Sequence, residues 1–263
     1  MRESRLFVDA ALSEGQELNV PSQAAHYVHT VLRLPRGAEI RLFNGDGREY
    51  RASILDSDRR GLRLLVGETL AADPESPLRI RLGVGLARGE RMDWIVQKAT
   101  ELGVASITPL LLERCNAKLD RSRQENRLRH WRQVAVSACE QCGRNRIPEV
   151  ATPERLESWL EQNRGGMGLV LHTAQARALD ARAAPPSVNV LVGPEGGLTE
   201  REYSSAVSEG FLPWSLGPRV LRTETAPVAA LAILQFLWGD MGTAREGADA
   251  AQPASAPPIS PSM

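Results

Sequence analysis

From residue 78 onward the chain alternates apolar runs with amphipathic segments, and this alternation limits the possible folds more than any other feature of the sequence. Residues 78–86 alternate apolar and basic side chains as a strand does, and residues 107–112 form a short strand-like run. Residues 168–172 and 188–192 have the apolar character of buried strands. Residues 91–102, 121–142, 200–209 and 226–238 carry apolar side chains at helical spacing. Strands that alternate with helices in this way predict an α/β domain built on a mostly parallel sheet.

Residues 1–72 show a different pattern, in which short strand-like runs are separated by turn signals. Strands are predicted over residues 4–8, 38–43, 49–55 and 61–66, with a short helix over residues 23–32. Turns are indicated at Asn44-Gly45-Asp46-Gly47 and at residues 56–60. This spacing predicts a small β-barrel or sandwich domain. A linker with two prolines follows at residues 73–77, the α/β domain is predicted over 78–240, and the Ala- and Pro-rich tail 241–263 is predicted to be disordered.

The formal net charge of the chain is zero, because 32 basic residues balance 32 acidic ones. An indiscriminate polyanion binder would carry a large basic excess, so this class of protein is excluded. The balance is nevertheless a cancellation, since residues 79–148 hold 14 basic and 7 acidic side chains whereas residues 149–263 hold 8 and 13. The first half of the α/β domain is therefore basic, and this segment is either a solvated face or a surface that binds a polyanion.

The three cysteines are Cys115, Cys139 and Cys142. Cys139 and Cys142 have the CxxC spacing of a redox pair or of half a zinc site, but the sequence has no second pair to complete four metal ligands. The favoured alternative is two small thiol side chains on one helix, and no metal is expected. The apolar runs are far shorter than a membrane span needs, and residues 1–5 lead into no apolar signal segment. These features predict a cytoplasmic protein with reduced thiols and no membrane association.

A glycine-rich loop, Gly193-Pro194-Glu195-Gly196-Gly197, directly follows the strand predicted at residues 188–192. Loops at the carboxyl ends of parallel strands are where open α/β sheets bind ligands, and glycines allow the backbone to approach a ligand closely. Thr199 and Glu202 have the spacing of a capping box for the next helix. The spacing matches no phosphate-binding motif, and a tight strand-to-helix turn is the alternative interpretation.

A second polar segment, Arg222-Thr223-Glu224-Thr225, lies between an apolar stretch and the last apolar helix. A helix start needs only one capping residue, so four polar side chains in a row suggest a site. Glu195 and Glu224 are candidate general bases, and Arg222 is a candidate partner for an anion or a carbonyl group. An Arg–Glu structural pair with a Thr cap is the alternative.

Together these segments resemble the small-subunit ribosomal RNA uridine-N3 methyltransferase family of the SPOUT superfamily. The resemblance rests on residues 193–197 and 216–226, and it covers residues 2–240 in order. Further segments that fit the family are Gln97–Val104, Glu113-Arg114, Glu140–Arg144, Ile147-Pro148, His26, Val31–Arg33, Gly37 and Asn44–Gly47. The sequence departs from the pattern at Cys115 and Cys142, where serine is expected, which puts any hydroxyl role there in doubt.

The resemblance implies an α/β SPOUT methyltransferase domain with a C-terminal trefoil knot, preceded by a small PUA-like β-barrel domain that holds RNA. It also implies a homodimer whose active site lies at the interface, with Arg and Glu residues of the first helix reaching the partner's site. The implied cofactor is S-adenosyl-L-methionine, held by three loops. On this sequence the implied cofactor-binding residues are Leu171, His172, Thr173, Gly193, Pro194, Glu195, Gly196, Gly197, Leu216, Gly217, Leu221, Arg222, Thr223 and Thr225. His172 taken alone is more typical of a strand-end structural histidine.

The implied reaction is methylation of the N3 position of a specific uridine in 16S ribosomal RNA of the 30S subunit, near the decoding centre. Arg222 is expected to donate to the uracil oxygens, and Glu224 to orient it or act as base. Basic residues are expected to contact RNA phosphates: Arg5, Arg33, Lys98, Arg114, Arg121, Arg127, Arg129 and Arg144. Alternatives are methylation of another base or of a ribose hydroxyl, and an assembly factor without catalysis, against which the intact loops argue.

Overall fold

The computed structural model describes residues 4–21, 28, 34–57, 61–71, 75–115, 121–172, 179 and 183–242. The predicted helix over residues 23–32 and the tail beyond residue 242 lie outside this part, except for Val28, which is buried. No helix among the described residues is long and apolar enough to cross a membrane. The described strands form two separate sheets.

The N-terminal sheet has five strands in the order β1-β3-β4-β5-β2. Strands β1 and β3 are parallel and the other neighbours are antiparallel. Alternating residues of these strands, such as Ile40, Leu42, Ile54 and Leu64, are fully buried in a core of their own. The strands are β1 Arg5–Phe7, β2 Glu17–Pro21, β3 Glu39–Phe43, β4 Glu49–Ser57 and β5 Gly61–Leu70.

Four of these strands were predicted, whereas β2 was not. Strand β2 ends at Pro21, whose missing N–H is tolerated only at an edge or an end, and it pairs with β5 alone among the described strands. Because β1 and β2 are the two edges, the described strands form an open sheet, and the predicted closed barrel is not seen as a continuous ladder of hydrogen bonds.

The C-terminal sheet has seven strands, all of them parallel, in the order β12-β10-β11-β6-β7-β8 with β9 also on β7. The predicted parallel α/β sheet is therefore confirmed. The short strands β8, β9 and β12 were not predicted, because two or three residues give no periodic signal. The strands are β6 Arg79–Gly85, β7 Ser106–Leu111, β8 Glu149–Val150, β9 Glu154–Arg155, β10 Met167–Leu171, β11 Ser187–Val192 and β12 Leu212–Trp214.

Five helices cover the two faces of this sheet. Four of them match the predictions to within two residues, and the short α3 was missed. One face packs into a core with Ile95, Trp131 and Leu234, which lie on α1, α2 and α5. The other face packs against Trp159 of α3 and Ala206 of α4. The helices are α1 Glu90–Glu101, α2 Arg121–Cys142, α3 Leu156–Gln162, α4 Glu200–Ser208 and α5 Thr225–Trp238.

Candidate active site

A cavity of about 670 Å³ lies at the carboxyl edge of the parallel sheet. Its walls come from the segments that follow β10, β11 and β12, with contributions from Arg91 in the first turn of α1 and Arg114 after β7. Carboxyl ends of parallel strands share one edge, so loops far apart in sequence converge there. The volume falls within the range of about 300–1,000 Å³ typical of small-molecule sites.

The loop after β11 is shaped by close backbone packing. Gly197 has a φ of 70° and its N–H donates to the carbonyl of Pro194 at 2.8 Å, which closes a tight turn. Gly85 at the end of β6 lies beneath this turn, and a Cβ there would come within 2.5 Å of the Pro194 nitrogen. A side chain at Gly85 would therefore displace the glycine-rich loop.

The segment after β7 braces the same loop from outside. Arg114 Nη1 donates to the carbonyl oxygens of Gly196 at 3.0 Å and Leu198 at 3.3 Å. Thr199 and Glu202 form the predicted capping box at the start of α4, and Glu202 also accepts the backbone N–H of Glu113 at 2.8 Å. These bonds fix the loop between two elements of the sheet.

Thr223 joins the two polar segments singled out in the sequence. Its hydroxyl donates to the carbonyl oxygen of Gly193 at 2.9 Å, and the residue is only 7% exposed. The carbonyl of Arg222 accepts the N–H groups of Thr225 and Ala226, both at 2.9 Å, so the backbone turns here into α5. The glycine-rich loop and the segment before α5 therefore form one continuous wall.

Arg91 links the two carboxylates of the cavity. Its Nη1 lies 2.8 Å from Glu195 Oε1, and its Nε lies 4.0 Å from Glu224 Oε2. The Glu195 carboxylate also accepts the backbone N–H of Arg88 at 3.3 Å. Burial acts to raise the pKa of Glu195, but hydrogen bonds from its own N–H, from Arg91 and from Arg88 outweigh it and hold the pKa below its ordinary value. Glu195 is therefore a fixed anion in the wall.

Apolar side chains form the opposite part of the wall. Trp214, at the end of β12, is 5% exposed and lies beside Leu171 and Leu216. The backbone N–H of His172 donates to the Trp214 carbonyl at 3.0 Å, and its ring packs against Tyr203 with the centroids 4.4 Å apart. The cavity thus offers an apolar side and a charged side.

The structure brings together most of the residues predicted for the cofactor and for catalysis. Thr225 is exposed at the start of α5 and does not line the cavity, and Thr173 lies outside the described residues. Among the described residues no ion pair joins Arg222 to Glu224; Glu224 is near Arg91 instead. The predicted residues that line the cavity are Leu171, His172, Gly193, Pro194, Glu195, Gly196, Gly197, Leu216, Gly217, Leu221, Arg222, Thr223 and Glu224.

Sequence reasoning missed other residues of the cavity wall. The sequence did give an indication for Arg91, because this residue follows closely on a predicted strand of the same sheet. The resemblance also placed arginines of the first helix near the partner's site. Trp214 carried none, because its three-residue strand has no periodicity. The remaining missed lining residues are Val192, Leu198, Ser215, Arg219, Val220 and Ala226.

Two of the arginines predicted to contact RNA bond to other groups of the protein. Arg5 is 7% exposed, and its guanidinium is bonded to Glu49, Asn145 and two carbonyl oxygens. Arg144 is bonded to Glu75 and to two further carbonyl oxygens. Both guanidinium groups are therefore bonded within the protein, and their contact with RNA stays a prediction.

The other predicted RNA contacts are placed differently. Arg129 is exposed on α2 and Arg127 is half-buried there, while Lys98 is paired with Glu101 at 2.8 Å. Arg114 is exposed at the rim of the cavity. Arg33 lies outside the described residues, as does the side chain of Arg121.

The CxxC cysteines lie on α2, as the structural alternative predicted. Cys139 is buried, and desolvation raises the pKa of its thiol to about 12. A thiol with so high a pKa is not a nucleophile near neutral pH. In the described part of the chain, no three His, Cys, Asp or Glu side chains are grouped as metal ligands.

Two family profiles match the chain. The RNA methyltransferase domain matches residues 74–235, and the RNA methyltransferase PUA domain matches residues 20–66. The fold and the site therefore define the class: a PUA domain followed by an RNA methyltransferase domain.

Comparison with individual relatives identifies the family within this class. The ribosomal RNA small subunit methyltransferase E of Buchnera aphidicola from Acyrthosiphon pisum is 32% identical over 90% of this chain and 94% of its own. A methyltransferase from Legionella pneumophila, solved with bound S-adenosylmethionine, is 40% identical with a TM-score of 0.88 over 92% of this chain and 100% of its own. The Neisseria gonorrhoeae ribosomal RNA small subunit methyltransferase E, bound to S-adenosylmethionine, is 36% identical with a TM-score of 0.85 over 91% and 100%. The chain belongs to the ribosomal RNA small subunit methyltransferase E family.

Proposed function

We propose that the protein methylates the N3 position of a specific uridine in 16S ribosomal RNA of the 30S subunit, near the decoding centre, with S-adenosylmethionine as cofactor. The observation that carries this proposal is the cavity in which the glycine-rich loop and the Arg222–Thr225 segment are joined through Thr223 and Gly193. These are the two segments on which the family resemblance rests, and the two solved relatives hold S-adenosylmethionine.

The residues of the cavity fit this cofactor. Trp214, Leu171 and Leu216 offer an apolar surface of the kind that an adenine ring needs. The Glu195 carboxylate, held ionised by Arg91, offers the negative charge that a sulfonium or an ammonium group favours. Because Gly85 packs closely against Pro194, the glycine-rich loop keeps a position that a side chain at residue 85 would not allow.

When bound, the cofactor supplies an electrophilic methyl group to the cavity. Uracil N3 carries a proton near neutral pH, so the enzyme must accept that proton or stabilise the anion that its loss creates. Arg222 is exposed on the cavity wall, and no other described residue pairs with its guanidinium, so its donors are available to a uracil oxygen. Each donor aimed at developing charge contributes roughly 3–4 kcal/mol.

Glu224 is the proton acceptor in this proposal. Its carboxylate is 20% exposed, lines the cavity and lies 4.0 Å from Arg91. Arg91 thereby holds Glu224 near Glu195 without forming a close pair, which leaves carboxylate oxygens available for the N3 proton. As the N3–methyl carbon bond forms and the sulfur–carbon bond breaks, the proton of N3 passes to Glu224.

In this proposal RNA approaches along residues 79–148, the basic half of the α/β domain. Arg129 and Arg132 are exposed on α2, and Arg114 and Arg219 are exposed beside the cavity. Contacts from such side chains to phosphates position an RNA without reading its sequence. An unstacked loop nucleotide is the form in which a uracil N3 edge can reach a recessed cavity.

The proposal includes a homodimer and a trefoil knot. Trp94 on α1 is 41% exposed, and Ile233 and Phe236 on α5 are 39% and 66% exposed, so large apolar side chains on two packed helices face outward. Such a surface is typical of a subunit interface. The trefoil knot is proposed from the family to which the chain belongs. The RNA substrate places the enzyme in the cytoplasm.

Mapping of modified nucleosides in 16S ribosomal RNA tests the proposal. RNA from a deletion strain should lack one N3-methyluridine, which returns on expression of the wild-type chain and of Arg155→Ala, an exposed arginine outside the cavity. Arg222→Ala should not restore it. If another base or a ribose 2′-hydroxyl loses its methyl group instead, the N3 assignment is wrong. Failure of calorimetry to detect S-adenosylmethionine binding would favour a binding-only assembly factor.

A further inference from the structure

Two sequence segments that the cavity leaves unused lie in contact with each other. The turn Asn44–Gly47 of the N-terminal sheet packs against residues 145–147, which follow α2. A Cβ at Gly47 would come within 2.7–3.0 Å of the Arg146 guanidinium, and one at Gly45 would lie 4.0 Å from Ile147. The two segments therefore form a tightly packed joint between the N-terminal sheet and the α/β domain.

Arg5 lies at the centre of this joint. Its Nε donates to Glu49 Oε1 at 2.7 Å, within its own sheet. Its Nη1 donates to the carbonyl of Cys139 at 2.6 Å, and its Nη2 donates to the carbonyl of Arg144 at 3.0 Å and to Asn145 Oδ1. One planar guanidinium thus bonds both sides of the joint in fixed directions, which a single ammonium group could not do.

On each side of the joint, Arg5 bonds to a group that favours its positive charge. Glu49 is 5% exposed and also accepts from Arg41 Nη1 at 3.1 Å. The carbonyl of Cys139 lies at the C-terminal end of α2, where the helix dipole favours a cation. A second bond crosses the joint nearby, from the backbone N–H of Phe7 to Glu140 Oε1 at 3.0 Å.

The end of the linker is fixed as well. Arg144 donates to the Glu75 carboxylate at 2.8 Å and to the carbonyls of Thr100 and Val104. The hydroxyl of Ser76 donates to Gln235 Oε1 at 2.6 Å, which ties the linker to the helix that begins at the cavity. Residues 75 and 76 of the linker are thus held to the α/β domain at two places.

We propose that Arg5 is a positioning residue that fixes the N-terminal sheet relative to the cavity and so selects which nucleotide of a bound RNA reaches the cavity. This inference rests on the proposed RNA methylation. In this role the N-terminal sheet contacts RNA and, because the joint fixes its orientation, also sets the distance between the bound RNA and the cavity.

Methyl transfer to two RNA substrates tests this role in Arg5→Ala, Arg5→Lys and the control Arg155→Ala. One substrate is the 30S subunit, which engages both domains; the other is a short stem-loop with the target uridine, which reaches only the α/β domain. Arg5→Ala and Arg5→Lys should lower kcat/KM for the 30S subunit by tenfold or more. They should change kcat/KM for the stem-loop and S-adenosylmethionine affinity less than threefold, and Arg155→Ala should change none of these.

Each alternative has its own result. Equal losses on both substrates would mean that Arg5 only supports folding, and undiminished activity on the 30S subunit would mean that the joint does not set the orientation; both overturn the inference. Small-angle scattering should show a more variable distance between the two domains in Arg5→Ala. If the wild-type chain methylates neither substrate at N3, the proposed function itself is wrong, and this result is distinct from the two outcomes that concern Arg5.

Discussion

The hydroxyl of Thr223 donates a 2.9 Å hydrogen bond to the carbonyl oxygen of Gly193, a residue 30 positions earlier in the chain. Thr223 is buried, and its bond joins the glycine-rich loop after β11 to the segment that precedes α5. Both segments line the cavity, so its shape depends on a bond between them. The relationship explains why Thr223 is part of the site although its hydroxyl is turned toward a backbone carbonyl.

Thr223→Val should weaken S-adenosylmethionine binding, because valine keeps the shape of the side chain but leaves the Gly193 carbonyl without its donor. Loss of one partner from a buried hydrogen bond costs about 1–3 kcal/mol, which corresponds to about a 5- to 150-fold change in affinity. Thr223→Ser keeps the hydroxyl and should bind within a few-fold of wild type. Isothermal titration calorimetry measures both, and equal affinities for the valine and serine variants would contradict the assignment.

Arg222→Ala should lower kcat by about 10²–10³ because it removes a donor aimed at the developing charge on uracil. The affinity for S-adenosylmethionine should stay within a few-fold, since Thr223 and the glycine-rich loop remain in place. Single-turnover methyl transfer with excess enzyme separates the chemical step from RNA binding. Arg222→Lys should be intermediate, because one ammonium group retains the charge but not the planar donors. A kcat within fivefold of wild type for the alanine variant would show that Arg222 is not the donor.

Arg91→Ala should lower the free energy of unfolding near neutral pH, by an amount that shrinks as the pH falls below the ordinary pKa of Glu195. The pKa of Glu195 lies below its ordinary value of 4.5, because hydrogen bonds that include Arg91 outweigh burial. A group with a lowered pKa contributes stability that is present above its unfolded pKa and is lost as pH falls through its folded pKa. Without Arg91 the folded pKa rises toward 4.5, so the variant has less of this stability to lose, and its difference from wild type shrinks as the pH falls below that value. Thermal unfolding between pH 3.5 and 7 measures it, with Arg155→Ala as control; superimposable curves for Arg91→Ala and wild type would refute the coupling.

Much of the α/β fold could be predicted because its buried strands are long enough to leave a recognisable pattern of apolar residues in the sequence. Ile80, Leu82 and Val84 in β6, and Val188 and Val190 in β11, are buried apolar residues at every second position, and both strands were predicted to within two residues. The strands and helix that were missed are two to seven residues long or end in proline. Short elements owe their structure to the sheet on which they pack and leave no periodic signal in the sequence.

The candidate site was predictable where it consists of contiguous motifs and not where it depends on distant contacts. Arg91 and Glu195 are 104 residues apart, and only the sheet order brings them together. Arg5 was predicted to bind RNA as one of several basic residues, although it is buried. Its partners Glu49 and Cys139 lie 44 and 134 residues away, so nothing local to Arg5 indicates that it is buried.

Arg129→Ala should weaken RNA binding and reduce its dependence on salt. Arg129 is exposed on α2 within the basic half of the domain, and each phosphate contact that is lost lowers the slope of log affinity against log salt by about one. S-adenosylmethionine binding should not change, because Arg129 does not line the cavity. Filter binding at four salt concentrations gives the slope, and Arg36→Ala, an exposed arginine of the N-terminal sheet, serves as a comparison. An unchanged slope for Arg129→Ala would place the RNA on another surface.

Phe236→Asp should convert the protein to monomers and abolish methyl transfer. Phe236 is 66% exposed on α5, the helix that begins at the cavity, and it lies on the same layer of the domain as the exposed Trp94. A charge introduced into an apolar subunit interface would be buried without a partner, which strongly disfavours association. Val207→Asp is the matched control, because Val207 is 40% exposed on α4, a helix that covers the opposite face of the sheet. Light scattering after gel filtration should give a dimer for wild type and Val207→Asp and a monomer for Phe236→Asp. A Phe236→Asp variant that stays dimeric and active would show that the interface lies elsewhere on the domain.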